Sequence, residues 1–152
     1  MRPELAQSLA FLERLADNAR AEPVLFGTAV LELLGIGGFQ ASDLDVIVSV
    51  DDAEALAAAA GVEPDGQGGN DRFRSRVHLH LDGAPLVIDI MAEMSIGSSD
   101  GWTPYDLREI TEIAVDGRRF RAASLADLRR FYSLAGRTKD IAKIAALDAI
   151  LA

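Results

Sequence analysis

The chain has 152 residues, 49% of them hydrophobic, which suits one compact domain over residues 1–152 with a full apolar core and leaves too little for a second. Its 15 Lys and Arg are outnumbered by 24 Asp and Glu, a formal charge of -9, so the surface as a whole repels nucleic acid, and such a partner would need a local basic patch. The absence of cysteine excludes disulfides and thiolate metal sites and fits a reducing compartment. With no basic-then-apolar leader and no apolar run near the roughly 20 residues that span a bilayer, a cytoplasmic protein without a membrane partner is expected.

In chain order, Leu5, Leu9, Leu12 and Ala16 share one stripe and predict an amphipathic first helix that ends before Pro23. Val24, Leu25 and Phe26 read as a short strand. Gly27-Thr28 turns it into a second helix carrying Val30, Leu31, Leu33 and Leu34, stopped by the glycines between 35 and 38. Residues 46–50 are rich in β-branched side chains and predict a central strand, and the Ala-rich residues 51–60 predict a helix after it. Residues 61–71, with five Gly or Pro among eleven positions, predict a loop.

Arg72, Arg74, Arg76, His78 and His80 then alternate with Phe73, Ser75, Val77, Leu79 and Leu81, and Asp82-Gly83 precedes Leu86-Val87-Ile88-Asp89-Ile90. This is a strong hairpin signal. A two-residue loop sets Leu81 against Ala84 and Arg76 opposite Asp89, whereas a four-residue loop sets His78 there. Side chains alternate with period 2 and both loops are even, so either register leaves Asp89 on the face of the Arg and His series. A second hairpin is predicted at Asp116-Gly117, between 113–115 and 118–121. Ser124 with Asp127 reads as a helix start, and Gly136 separates that helix from a last one through Ile141, Ile144 and Leu151. The element order argues for an α/β (α+β) fold, a mixed β-sheet flanked by helices with two more at the C-terminal end.

The chemistry lies in carboxylates placed inside strand-like runs, where an unpaired ionised group is strongly unfavourable. On a strand, Asp43 and Asp45 leave the same side about 6 to 7 Å apart at the backbone, so they can converge on one ion. Mg²⁺ takes a few carboxylates together with waters and substrate phosphates. A third carboxylate, Asp89, allows a second metal or a general base, the arrangement that serves in-line phosphoryl displacement. Gly27-Thr28 complements them, because Gly permits close backbone approach, free N–H groups face a phosphate, and Thr28 adds a hydroxyl.

Together, Gly27-Thr28 at a strand-to-helix turn, Asp43-Leu44-Asp45 in one strand and a lone Asp89 in a later one resemble the nucleotidyltransferase superfamily. The likeness is to polymerase beta-like and minimal members, including small bacterial proteins related to abortive-infection toxin-type enzymes. Ala123-Ser124-Leu125-Ala126-Asp127-Leu128 and Gly136-Arg137-Thr138-Lys139-Asp140-Ile141 are similar to the C-terminal helical signature of small bacterial members. Thr28 replaces the usual Ser. Tyr132 stands where many toxin-type relatives carry Lys, and Lys143 where they often carry Asp.

The resemblance implies that Gly27 and Thr28 hold nucleotide phosphates and that Asp43, Asp45 and Asp89 bind Mg²⁺ or Mn²⁺ as the catalytic group. Lys139 and Asp140 shape the nucleotide pocket. The implied activity is transfer of a nucleoside monophosphate from an NTP to a hydroxyl on a protein, a small molecule or, less in keeping with the acidic surface, tRNA. The alternative is a catalytically degenerate module that binds a nucleotide or a protein partner, as in a toxin–antitoxin pair; a homodimer is also open.

Plainer readings stand beside these. Ser42-Asp43 also suits a turn entering a strand, and Asp89 also suits an ion pair with Arg76. His78, His80 and Asp82 read either as transition-metal ligands or as a solvated strand face. Arg72, Arg74 and Arg76 suit a triphosphate or RNA backbone, or an edge strand protected by charge. Arg137, Lys139 and Asp140 also suit the polar first turn of a helix. Trp102 and Tyr105, in a Gly-, Ser- and Pro-containing loop, either stack on a base or cap the core.

Overall fold

The computed structural model describes residues 1–65, 70 and 72–152. The loop predicted over 61–71 therefore lies partly outside the described residues. Among those described, the elements are α1 (Pro3–Ala16), β1 (Val24–Phe26), α2 (Thr28–Leu33), β2 (Asp43–Ile47), α3 (Val50–Ala60), β3 (Phe73–Leu81), β4 (Val87–Ser98), β5 (Gly101–Pro104), β6 (Ile110–Val115), β7 (Arg118–Ala123), α4 (Leu125–Ala135) and α5 (Asp140–Leu151). They form the mixed α+β arrangement expected from the element order. The sheet runs β3-β4-β2-β1-β7-β6, with β5 paired to β4. β2 lies parallel to β4 and β1 parallel to β7, while the other neighbours are antiparallel.

Burial alternates along β2 and β4 and decides which face carries chemistry. Leu44, Val46, Ile88 and Ile90 are fully buried, and α1 and α3 pack on these strands. Asp43, Asp45 and Asp89 occupy the alternate positions and are only partly buried. β2 opens at Asp43, as the Asp43-Leu44-Asp45 reading expects, but ends at Ile47 short of residue 50, because Ser49 starts α3 instead of extending the strand. Its hydroxyl accepts from the Asp52 N–H at 3.1 Å, which fixes Val50 as the first helical residue.

The first hairpin has neither predicted loop length. Leu81 pairs with Ile88 and His80 with Asp89, leaving residues 82–87 between the paired strands. Pro85 lacks an N–H for the ladder, and the Leu86 N–H turns to the buried Ser8 hydroxyl of α1 at 2.9 Å. The loop is thus drawn onto α1. The register moves by an even number, so Asp89 keeps the face of the Arg and His series, but Arg76 does not meet it. Arg76 reaches Glu93 at 3.2 Å instead.

β5 occupies a segment predicted as loop. Gly101 and Pro104 hide it from sequence patterning, and both are tolerated because the strand pairs only with the end of β4. Tyr105, just after it, caps the core: its ring lies 5.6 Å from Phe131 and its hydroxyl donates to the Asp127 carbonyl at 2.8 Å. Trp102 does not cap the core; it stays exposed, with the Arg74 guanidinium 3.7 Å from its ring centre. The second hairpin forms as predicted, with Val115 opposite Arg118 and left-handed backbone at Asp116 and Gly117, as a twist-matched two-residue turn requires.

Ser124 caps α4 by accepting from the Asp127 N–H at 3.1 Å. The buried Asp127 carboxylate accepts from the Arg108 and Glu109 N–H groups, both at 2.8 Å, and from Arg130 at 2.9 Å. It ties the chain entering β6 to the helix that roofs the candidate site. Asp127→Ala strands these donors and is expected to cost about 2–4 kcal/mol. Asp127→Asn, which keeps an acceptor oxygen, should cost less. Urea unfolding of the two variants checks the order.

Candidate active site

The parallel register of β2 and β4 sets Asp45 directly beside Asp89, with Asp43 one pleat away at the level of Val87. One oxygen from each carboxylate falls within 4.8 Å of the others, the compact oxygen cluster that suits a hard divalent cation. Among the described residues no other His, Cys, Asp or Glu group has this compactness. The predicted convergence of Asp43, Asp45 and Asp89 is therefore present.

Such a cluster is electrostatically costly, and its members differ in how the cost is met. Asp45 is pushed up to about 7 by burial, with Asp43 and Asp89 adding repulsion. Burial also raises Asp43, as does Asp89, while Lys139 and Lys143 act in the opposite sense. Burial opposes ionisation of Asp89 too, but hydrogen bonds from His78 and His80 outweigh it and hold that carboxyl below its usual range. His78 is raised in return, first by its bond to Asp89, against the effect of burial, and then by Asp65.

Facing the carboxylates is the start of α2. Gly27 has φ of 73°, in the region that favours glycine, and a Cβ built there would stand 3.0 Å from Asp45 Oδ2. Both backbone shape and proximity to the acid therefore call for Gly. α2 has six residues, too short for its dipole to matter much, and the positive charge at this turn comes from elsewhere. Lys143, from α5, donates to Thr28 Oγ1 at 2.9 Å, and burial lowers its pKa. Its ammonium lies 5.0 Å from the centre of the Tyr132 ring. The Tyr132 hydroxyl is buried and makes no hydrogen bond of good geometry among the described residues.

A cavity of about 700 Å³ joins these groups, within the range of small-molecule sites. Gly27, Thr28, Asp43, Asp45, Asp89 and Lys139 all line it, together with His78, Arg137, Lys143 and several aromatic and Met side chains. Asp140 does not line it. Fully buried, Asp140 grips Arg137 through bonds of 2.7 and 2.9 Å, and the Arg137 guanidinium lies 4.9 Å from the Phe73 ring centre. Arg76 lies outside as well, in a neighbouring cleft with Glu93 and Trp102.

The sequence reading gave Lys143 no role. No local signal marks it, because only the docking of α5 decides what Lys143 faces. The imidazoles of His78 and His80 are engaged by carboxylates, His78 by Asp65 and Asp89, His80 by Asp82 and Asp89.

The raised Asp45 fixes a sign for metal-free stability. Its folded form holds a proton that the unfolded chain releases near pH 4, so its contribution to stability falls as pH rises from about 4 to about 7, by up to about 4 kcal/mol. The raised His78 acts in the same direction at the upper end of that range. In EDTA at pH 8, Asp45→Asn is therefore expected to raise Tm, by about 2–4 °C for each kcal/mol regained. Differential scanning calorimetry at pH 5 and pH 8 tests the sign.

No family model and no curated protein matches the sequence. Solved structures do match. The "putative nucleotidyltransferase" TM1012 from Thermotoga maritima superposes with a TM-score of 0.70 at 21% identity, over 99% of this chain and 94% of that one. The solution structure of the antibiotic-resistance factor ANT(2″)-Ia gives 0.65 at 13% identity over 97% and 84%. The crystal structure of ANT(2″)-Ia in complex with adenylyl-2″-tobramycin gives 0.62 at 13% identity over 97% and 90%. Likeness over almost the whole length, at identities this low, is a likeness of architecture: the chain has the nucleotidyltransferase fold.

Proposed function

We propose that the protein transfers a nucleoside monophosphate from an NTP to a hydroxyl acceptor, with Mg²⁺ or Mn²⁺ held by Asp43, Asp45 and Asp89. The observation that carries this reading is the joint presence, in one cavity, of three carboxylates within 4.8 Å of one another and of the Gly27-Thr28 turn with Lys143 bonded to it. Bound divalent cations neutralise triphosphate charge and make an attacking hydroxyl more acidic. The chain's own residues supply the rest.

Gly27 leaves room for a phosphate against the backbone, and the Thr28 hydroxyl offers a donor to it. Lys143 and Lys139 provide compensating positive charge, and Arg137, held by the buried Asp140, adds a rigid guanidinium. Asp89, as part of the cation site, would activate the acceptor hydroxyl, whose proton passes to solvent as its oxygen attacks the α-phosphorus. A new P–O bond forms while the bond to the bridging oxygen of the β-phosphate breaks, and pyrophosphate leaves. Arg76 is left out of this assignment because it faces Glu93 outside the cavity.

The adenylyl-2″-tobramycin in the ANT(2″)-Ia complex supports a small-molecule hydroxyl as acceptor. The formal charge of -9 favours it over a polyanion such as tRNA.

The test is incubation with α-labelled NTPs and Mg²⁺ or Mn²⁺, alone and with aminoglycoside, protein and tRNA acceptors. Label in the protein or in an acceptor is expected, and Asp43→Ala should lower it at least about a thousandfold. Lys143→Ala should raise KM for the NTP more than it lowers kcat. Equal labelling by Asp43→Ala would overturn the proposal.

A further inference from the structure

The three carboxylates are not held alike. Asp89 Oδ1 is met by two imidazoles at once, His78 Nε2 at 3.1 Å and His80 Nδ1 at 3.1 Å. Another carboxylate stands behind each ring, hydrogen-bonded in the case of His78. Asp65 takes His78 Nδ1 at 2.7 and 2.8 Å, and Asp82 lies 3.4 Å from His80 Nε2. Two carboxylate–imidazole–carboxylate chains thus converge on one oxygen atom.

The fold explains why the two rings use different nitrogens. His80 is the register partner of Asp89, so its near nitrogen, Nδ1, lies alongside. His78 sits opposite Met91 and reaches diagonally along the strand with its far nitrogen, Nε2. The His78 chain is the firmer one. The Asp65 N–H also donates to the His78 carbonyl at 3.1 Å, so Asp65 is tied to β3 through backbone and side chain together. The His78 side chain is 16% exposed against 51% for His80, so water competes less for it.

An aspartate carboxyl turns easily about its last torsion, which is broad and roughly two-fold. A carboxylate oxygen has two lone pairs, and two donors occupy those of Oδ1. We infer that His78 and His80 form a clamp that fixes the orientation of Asp89 by occupying Oδ1, so that Oδ2 alone is offered to a cation. The clamp rests on the metal reading of the three carboxylates. His78 and His80 are positioning residues: they act through Asp89 and touch neither nucleotide nor acceptor. Groups of this kind change metal affinity about 10- to 100-fold when removed from known sites.

The difference in donor atom supplies a test that a packing role does not pass. A Gln amide places its nitrogen near the His Nε2 position, and an Asn amide places its own near Nδ1. Mn²⁺ affinity is measured by electron paramagnetic resonance on the nucleotide-free protein at one fixed pH, with circular dichroism and Tm confirming that each variant folds. His78→Gln and His80→Asn are expected to stay within about threefold of the parent, while His78→Asn and His78→Leu weaken Mn²⁺ binding about 10- to 100-fold. His80→Gln is expected to weaken it less than His78→Leu, in line with the greater exposure of that ring.

Folded His78→Leu with parental Mn²⁺ affinity would overturn the clamp and leave the metal reading standing. Equal losses in His78→Gln and His78→Asn would also overturn it, since the donor position would then not matter. A folded parent that binds no Mn²⁺ would overturn the metal reading, and the clamp with it.

Discussion

The parallel pairing of β2 with β4 is the constraint from which the site follows. It brings Asp45 and Asp89 to the same level of the sheet, with Asp43 on the same face. Three acids this close resist joint ionisation, and most of what surrounds them answers that repulsion. α1 and α3 pack on the face that carries Leu44, Val46, Ile88 and Ile90, so the acids keep the opposite face, which opens to the cavity. Lys139 and Lys143 lower the field at Asp43, and His78 and His80 support Asp89. Asp45 has the least local help and carries the largest upward push of the three. A structural salt-bridge network would have paired each acid with its own cation. Here the compensation is uneven and incomplete, and on the proposed reading an added cation completes the balance.

The two walls of the cavity come from distant parts of the chain. The acids lie on adjacent central strands, whereas Lys143, Tyr132 and Arg137 arrive from α4, α5 and the turn between them, more than a hundred residues after Thr28. Buried Asp140 matters here although it does not face the cavity. It grips Arg137 at the start of α5, and Arg137 lies against Phe73 and Phe131. Phe131 in turn meets Phe26, next to Gly27, with ring centres 4.8 Å apart. The position of the basic wall relative to the Gly27 turn is therefore set by a packed aromatic column, not by surface charges alone. The Tyr132 hydroxyl, buried beside Thr28, makes no well-formed hydrogen bond among the described residues.

Much of this was legible in the sequence, for reasons that differ by residue. The period-2 rule sufficed to put Asp43 beside Asp45 and to bring Asp89 onto the face of His78 and His80, because parity survives any even change in loop length. It could not choose the partner, since that depends on the loop, and the loop is set by a tertiary bond from Leu86 to Ser8 seventy-eight residues away. Asp116-Gly117 was readable because its turn is determined by the two residues themselves. β5 was not, because an edge strand bearing Gly101 and Pro104 breaks the local rules that identify strands. Lys143 was hidden for another reason. Nothing local distinguishes a lysine facing water from one facing Thr28, and only the docking of α5 decides between them.

Charge distribution bears on what the proposed site can accept. The cations that face the acids lie inside the cavity, on one wall, while the chain as a whole carries -9. A triphosphate is short enough to be neutralised within that cavity and to keep its charge away from the outer surface. A polyanion would have to continue across that surface, where Arg76 already faces Glu93, Arg119 faces Glu112 and Arg129 faces Asp148. Pairing of this kind removes the unopposed basic stripe that long nucleic acids need. It leaves the inner wall as a local exception to an acidic exterior. On the proposed reading, the field inside the cavity favours a compact anion while the field outside turns long ones away.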